Sequence, residues 1–210
     1  MPGHPINQGE TPLIHIAIFA SGTGSNAQNI INYFKASSFI KVNLIVSNNP
    51  FAYVLKIADA ENIPSLLIKR DAFFNDDGYL SELQKNNITF IVLAGFLWKI
   101  PLLIIEAYPN KIINIHPALL PKYGGKNMYG DKVHEAVIAS GDKDSGITIH
   151  YVDEEYDNGD IIFQKKCAID ENETAETLVK KIHLLEHENY PRIIEEAIKE
   201  QFRMKFDHNF

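Results

Sequence analysis

IHIAIFASGTGSN, residues 14–26, decides the fold: an apolar run ends in a turn of small residues, and Ala27, Ile30, Ile31 and Phe34 then recur at helical spacing. A buried strand therefore turns directly into a helix, the first half of a β-α-β unit. Strand-like runs follow at 42–47, 65–68, 90–94 and 112–116, separated by helical segments around 52–61, 78–86 and 101–108. This alternation predicts an α/β chain with a parallel, doubly wound sheet. Crossovers between parallel strands are right-handed and ligands gather at the strands' carboxyl ends, so the loops after Ala20, Ala94 and His116 should share one rim.

After His116 the pattern changes. PALLPKYGGKNMYGD reads as a loop, 132–140 as a helix, and 145–152 with 161–166 as a strand pair whose second member follows the turn signal DNG. From 174 to about 201, Leu178, Ile182, Leu185, Ile193, Ile194, Ala197 and Ile198 predict one long helix or two broken near Pro191.

A chain of 210 residues, 45% hydrophobic and 22% charged, suits one domain. We expect it over 14–210, behind a loose, proline-rich leader at 1–13 without the features of a signal peptide. The formal net charge of -7 disfavours nucleic acid as a partner. No apolar run reaches the roughly 18 residues of a membrane span, and the lone Cys167 excludes an internal disulfide. These features predict a soluble, cytoplasmic protein. Cys167, on an apolar strand, reads as a buried small hydrophobe.

In FASGTGSN, Gly22 and Gly24 permit a tight turn and close approach of a ligand, while Ser25 and Asn26 open a helix whose free amides suit an anion such as phosphate. The segment lacks the acidic partner of a dinucleotide fingerprint and the lysine of a Walker loop. The competing reading is a plain strand-to-helix turn capped by Ser25. Asn114 and His116 stand two apart at the end of a buried strand, so both side chains face one way at the rim. An Asn amide and an imidazolium can both donate to a developing oxyanion. His116 would have to be protonated to stabilise it best, which calls for a carboxylate to raise its pKa. Asp153, Glu154, Glu155 and Asp157 are all candidates, and spacing alone does not choose among them. The competing readings are a hydrogen-bonded core histidine before a proline turn and, for the acids, a solvated turn.

Together, FASGTGSN, VLAGFLWKIP (92–101), INIHPALLPKYGGK (113–126) and SGITIHYVDEEYDNGDIIFQ (145–164) resemble the phosphoribosylglycinamide formyltransferase family over about 14–192. The Asn-x-His-Pro-x-Leu-Leu-Pro core is shared with the wider folate-dependent formyltransferases, and the SGTGSN loop narrows the acceptor. The resemblance implies a single-domain, Rossmann-like formyltransferase fold, with a mostly parallel sheet flanked by helices. It implies direct transfer of a formyl group from the co-substrate 10-formyltetrahydrofolate to the amine of glycinamide ribonucleotide in purine synthesis. By that resemblance Asn114 and His116 are the catalytic pair and Asp157 is the carboxylate that keeps His116 protonated. Gly24, Ser25 and Asn26 would hold the phosphate, and Glu186 in LLEHENYP the ribose hydroxyls, with His183 in a companion position that is Gln in some relatives. The folate would lie along Leu97, Trp98, Lys99 and Ile100, contact Asn114, and meet backbone groups of Asp153, Glu154, Glu155, Tyr156 and Asp157.

The sequence departs from the family where Asn158-Gly159 replaces Gly-Gly and where Asp76 stands at a position some members give to a folate-contacting Arg. Asn158 tolerates a left-handed turn. Met128 and Tyr129, in a loop without a close match, read as packing residues rather than a cover. His116, His134 and His150 match no compact metal motif, so no metal is expected. Oligomeric state stays open between monomer and homodimer. A formyltetrahydrofolate deformylase or a methionyl-tRNA formyltransferase would normally carry a further domain, and acidity disfavours tRNA. A non-catalytic nucleotide-binding module would leave Asn114, His116 and Asp157 unexplained.

Overall fold

One sheet carries the architecture, with strands in the order β3-β2-β1-β4-β5-β6-β7. In the computed structural model, which describes residues 13–207 and side chains as far as Gln201, β1 is Ile14–Phe19, β2 Ile40–Ser47, β3 Ser65–Leu67, β4 Phe90–Leu93 and β5 Ile112–His116. All of these pair in parallel. β6 (Asp144–Tyr151) and β7 (Ile161–Ala168) then add antiparallel at the β5 side. The strands fall where apolar runs predict them. The expected leader lies outside the described residues except for Leu13, which is exposed.

Alternation along β1 divides the interior in two. Ile14, Ile16 and Ile18 pack with α1 (Ser25–Phe34), α2 (Val54–Ala60) and α7 (Ala175–Asp207), whereas Ala17 and Phe19 pack with α3 (Arg70–Asn75), α4 (Leu80–Lys85) and α5 (Leu102–Ala107). Helices therefore cover both faces of the parallel strands, which is why the central ones are largely apolar. The direction of winding reverses between β1 and β4, opening a crevice at their carboxyl ends. Ser21 N–H donates to the Gly95 carbonyl at 3.0 Å and Leu97 N–H to Ser21 Oγ at 3.0 Å, so the two rim loops are bonded to each other.

α7 is one continuous helix through Pro191, the first of the two arrangements expected. A proline inside a helix leaves the carbonyl four residues earlier without its donor. Here that carbonyl, of His187, accepts Asn29 Nδ2–H at 2.7 Å, so α1 supplies the missing hydrogen bond. Next to it Tyr190, fully buried, donates its hydroxyl to the Leu93 carbonyl at 2.8 Å. An unpaired hydroxyl there would cost about 1–3 kcal/mol. These two contacts fix α7 against the crevice. The six residues of α3 escape the sequence reading because RDAFFN is too short to show a helical period. Cys167 is only half-buried, since β7 is an edge strand; burial still pushes its thiol pKa up.

Candidate active site

The strand-to-helix turn places its glycines unequally. Gly24 adopts φ +77°, and a Cβ there would lie 2.8 Å from the Val54 Cβ, so both conformation and crowding require glycine. Gly22 meets nothing within 4 Å and lines a cavity instead. Gly24 also stands at the α1 cap position with no side-chain cap, which rules out Ser25 as the capping residue. The first intrahelical bond runs from Gln28 N–H to the Gly24 carbonyl, leaving the amides of Ser25, Asn26 and Ala27 without intrahelical acceptors. Asn26 Nδ2 donates to Glu186 Oε2 at 2.9 Å, joining α1 to α7. Burial pushes the Glu186 pKa up, and the bond from Asn26 and the nearby His183 pull it down without cancelling the rise. The cavity, about 250 Å³, is lined by the loop from Gly22 to Asn26, Leu97, Pro117, His134, His183 and Glu186. His183 is thus a cavity residue, its ring stacked at 6.4 Å on His187.

β5 delivers Asn114 and His116 to one carboxylate, that of Asp157 in the turn between β6 and β7. Asn114 Nδ2 lies 3.4 Å from Asp157 Oδ1, and His116 Nδ1 lies 3.5 Å from Oδ2. Oδ2 also accepts Gly125 N–H at 2.9 Å. The other acids do not reach His116: Glu154 and Glu155 are exposed, and Asp153 accepts from Asn158 Nδ2 at 2.9 Å. That bond closes the turn where Asn replaces Gly. The left-handed residue is Asp157, φ +53°, rather than Asn158, and Gly159 is required because a Cβ would lie 2.0 Å from the Tyr151 carbonyl oxygen.

His116 Nε2 donates to the Tyr123 carbonyl at 2.8 Å. Its two nitrogens therefore face a carbonyl and a carboxylate, an arrangement that favours imidazolium. Burial opposes it and prevails: the ring is 3% exposed, and its pKa is held below the usual histidine value although Asp157 and the Tyr123 carbonyl pull it upward. The pull of Asp157 on His116 therefore works against burial, in the direction expected of that carboxylate. For Asp157, burial acts to raise the pKa, but hydrogen bonding to His150, the charge of His116 and the Gly125 amide outweigh it and the carboxyl is lowered.

His150 is the residue that sequence reasoning missed. In the β5–β6 register it stands opposite Asn114, its Nδ1 donates to the Tyr151 carbonyl at 2.7 Å, and its Nε2 lies 3.1 Å from Asn114 Nδ2 and 3.7 Å from Asp157 Oδ1. The period-2 pattern of β6 put His150 on a definite face; no signal gave the pairing register. Among the described residues, no group of three or more His, Cys, Asp or Glu is placed to hold a metal.

The two segments expected to receive folate do meet, with Lys99 Nζ 5.7 Å from the Tyr156 ring centroid. Leu97 is exposed toward the cavity, while Trp98 joins Phe73, Phe74 and Phe96 in an aromatic cluster. Ile100 belongs to the core, 3% exposed, and its side chain is not available to a ligand. Asp76 is exposed at the end of α3. Tyr129, expected to pack, instead borders the cavity and is 43% exposed. A larger hollow of about 420 Å³ around Leu119, Tyr123 and Lys166 contains none of the Asn, His and Asp constellation.

Residues 14–194 match the formyl transferase family model. The phosphoribosylglycinamide formyltransferase of Bacillus subtilis (strain 168) is 38% identical over 187 residues, 87% of this chain and 93% of that protein. The chloroplastic phosphoribosylglycinamide formyltransferase of Arabidopsis thaliana is 37% identical over 91% of this chain and 68% of its own length. The solved phosphoribosylglycinamide formyltransferase structure from Bacillus halodurans superposes with a TM-score of 0.80 at 35% identity, covering 88% of this chain and 95% of that one.

Proposed function

We infer the reaction from the premise that this chain belongs to the formyl transferase family, as the match over residues 14–194 and relatives above one-third identity establish. The chain transfers the formyl group of 10-formyltetrahydrofolate to the amine of glycinamide ribonucleotide in purine synthesis. The observation that carries this reading is the single carboxylate of Asp157 bridging Asn114 and His116 on a segment whose Ile115 and Pro117 line the cavity of the Gly24 turn.

The ribonucleotide phosphate sits on the amides that open α1, and the buried Glu186 carboxylate, held by Asn26, accepts from ribose hydroxyls. The amine attacks the formyl carbon and its electron pair forms the new C–N bond, while the carbonyl pair moves onto oxygen. Asn114 and His116 donate to that oxygen. The long 3.4 Å contact from Asn114 to Asp157 marks the hydrogen free to turn toward a new acceptor. The C–N bond to folate then breaks, and the proton lost by the amine goes to the departing nitrogen. His116 contributes most in the transition state: burial disfavours its charge in the resting protein, and the developing oxyanion beside it restores the balance toward imidazolium.

Residues 14–210 act as one catalytic domain in the cytoplasm. Among the described residues, no helix is long and apolar enough to cross a membrane. The test is formylation of glycinamide ribonucleotide by purified protein with 10-formyltetrahydrofolate. Formate released equally well without acceptor would assign a deformylase instead.

A further inference from the structure

α6 (Asp131–Ser140) sets His134 into the wall of the ribonucleotide cavity, and the reaction above gives it no part. The side chain is 3% exposed and its Nδ1 is buried without a hydrogen-bond partner. Buried polar atoms ordinarily have partners, and an orphaned lone pair is tolerated better than an orphaned N–H. The neutral tautomer that fits is therefore the one with its hydrogen on Nε2. Burial and the charge of His183 on α7 outweigh the upward pull of Asp131 on α6, His116 on β5 adds a smaller downward push, and its pKa is lowered to about 4, so it is uncharged at neutral pH. Glu186 on α7 borders the same cavity. His134 thus lies close enough to both the ribonucleotide end and the catalytic histidine to feel their charges.

We propose that His134 is a binding residue for the acceptor, its Nε2–H donating to an oxygen of the sugar phosphate or its glycinamide arm inside the cavity shared with Gly22, Asn26 and Glu186. A neutral donor can serve such an oxygen without having to be charged first. The inference rests on the ribonucleotide reading of the cavity and adds to it a contact from α6, a helix that the folate wall does not use. It predicts that discrimination for the ribonucleotide depends on α6 as well as on the Gly24 turn.

The experiment compares wild type, His134→Leu and His134→Gln. Calorimetry with glycinamide ribonucleotide is combined with KM and kcat for both substrates and with thermal midpoints. Loss of the donor in His134→Leu should weaken ribonucleotide binding and raise its KM about tenfold, roughly the worth of one hydrogen bond. The KM for 10-formyltetrahydrofolate should stay within about twofold, and Gln, which keeps an N–H, should recover most of the loss. An unchanged ribonucleotide KM in a folded His134→Leu protein, or equal damage to both substrates, would overturn the proposal. Should His134→Leu fail to fold, ring-nitrogen NMR of the wild type decides: a ribonucleotide-dependent shift of the His134 Nε2 signal supports the contact, and a constant signal refutes it. Wild type that binds no glycinamide ribonucleotide would sink the functional reading itself, a result distinct from either of these.

Discussion

The crevice has two ends built on different principles. At the end proposed for the ribonucleotide, backbone amides at the start of α1 and a carboxylate fixed by Asn26 form a site whose parts are preset by the parallel β1–α1 unit and by α7. At the end proposed for the chemistry, Asn114, His150 and Asp157 share hydrogen bonds across an antiparallel addition to the sheet and His116 meets Asp157 at 3.5 Å, with burial and charge in opposition. The first end distributes binding over many modest contacts. The second concentrates the chemistry in a few groups that depend on one carboxylate, so single substitutions should separate the two.

The largest effect is expected at the chemical end. His116→Ala should lower kcat by roughly 10²–10³-fold, the usual cost of an oxyanion donor, with ribonucleotide affinity kept within about threefold. Steady-state kinetics and calorimetry on the same preparation check both. Asp157→Asn comes next, lowering kcat by about 10²-fold. Because Asp157 pulls the His116 pKa upward, its removal should move that pKa lower still; an imidazole titration unchanged by the substitution would refute the positioning role. At the other end Glu186→Ala should raise the ribonucleotide KM about tenfold while leaving folate binding intact. Parallel loss of both ligands would show that the ends are not independent.

A separate effect, outside the crevice chemistry, is on stability. His134 is held neutral in the fold to about pH 4, whereas the unfolded residue protonates near its usual value of about 6.5. The unfolded state therefore binds more protons between these limits. Stability should fall as pH drops from 6.5 toward 4, by up to about 3 kcal/mol from this residue. Thermal melts across that window should show a shallower decline in His134→Gln than in wild type.

The two ends also differed in how far they could be read from the chain. Alternating apolar runs with helical spacing between them expose the parallel strands and the Gly24 turn, because local period and steric demand suffice there. At the chemical end, the period-2 rule puts Asn114 and His116 together. The meeting with Asp157 depends on how a distant turn folds back, and the resemblance rather than spacing singled it out. His150 stayed hidden because it enters through cross-strand register, a long-range property. The Tyr123 carbonyl and the Gly125 amide were hidden for another reason: backbone groups carry no residue signature. Pro191 left one helix or two open because its helix is completed by Asn29, more than 150 residues away in the chain. The balance of burial against charge at His116 likewise needs the folded surroundings.

The central claim is that this crevice passes a formyl group to a ribonucleotide amine. The most direct measurement follows 10-formyltetrahydrofolate consumption and formylated product in wild type and His116→Ala, with and without glycinamide ribonucleotide. Stoichiometric product that requires the acceptor and collapses in the variant is the predicted result. Cofactor consumption that yields free formate regardless of acceptor, or transfer that survives in His116→Ala, would contradict it.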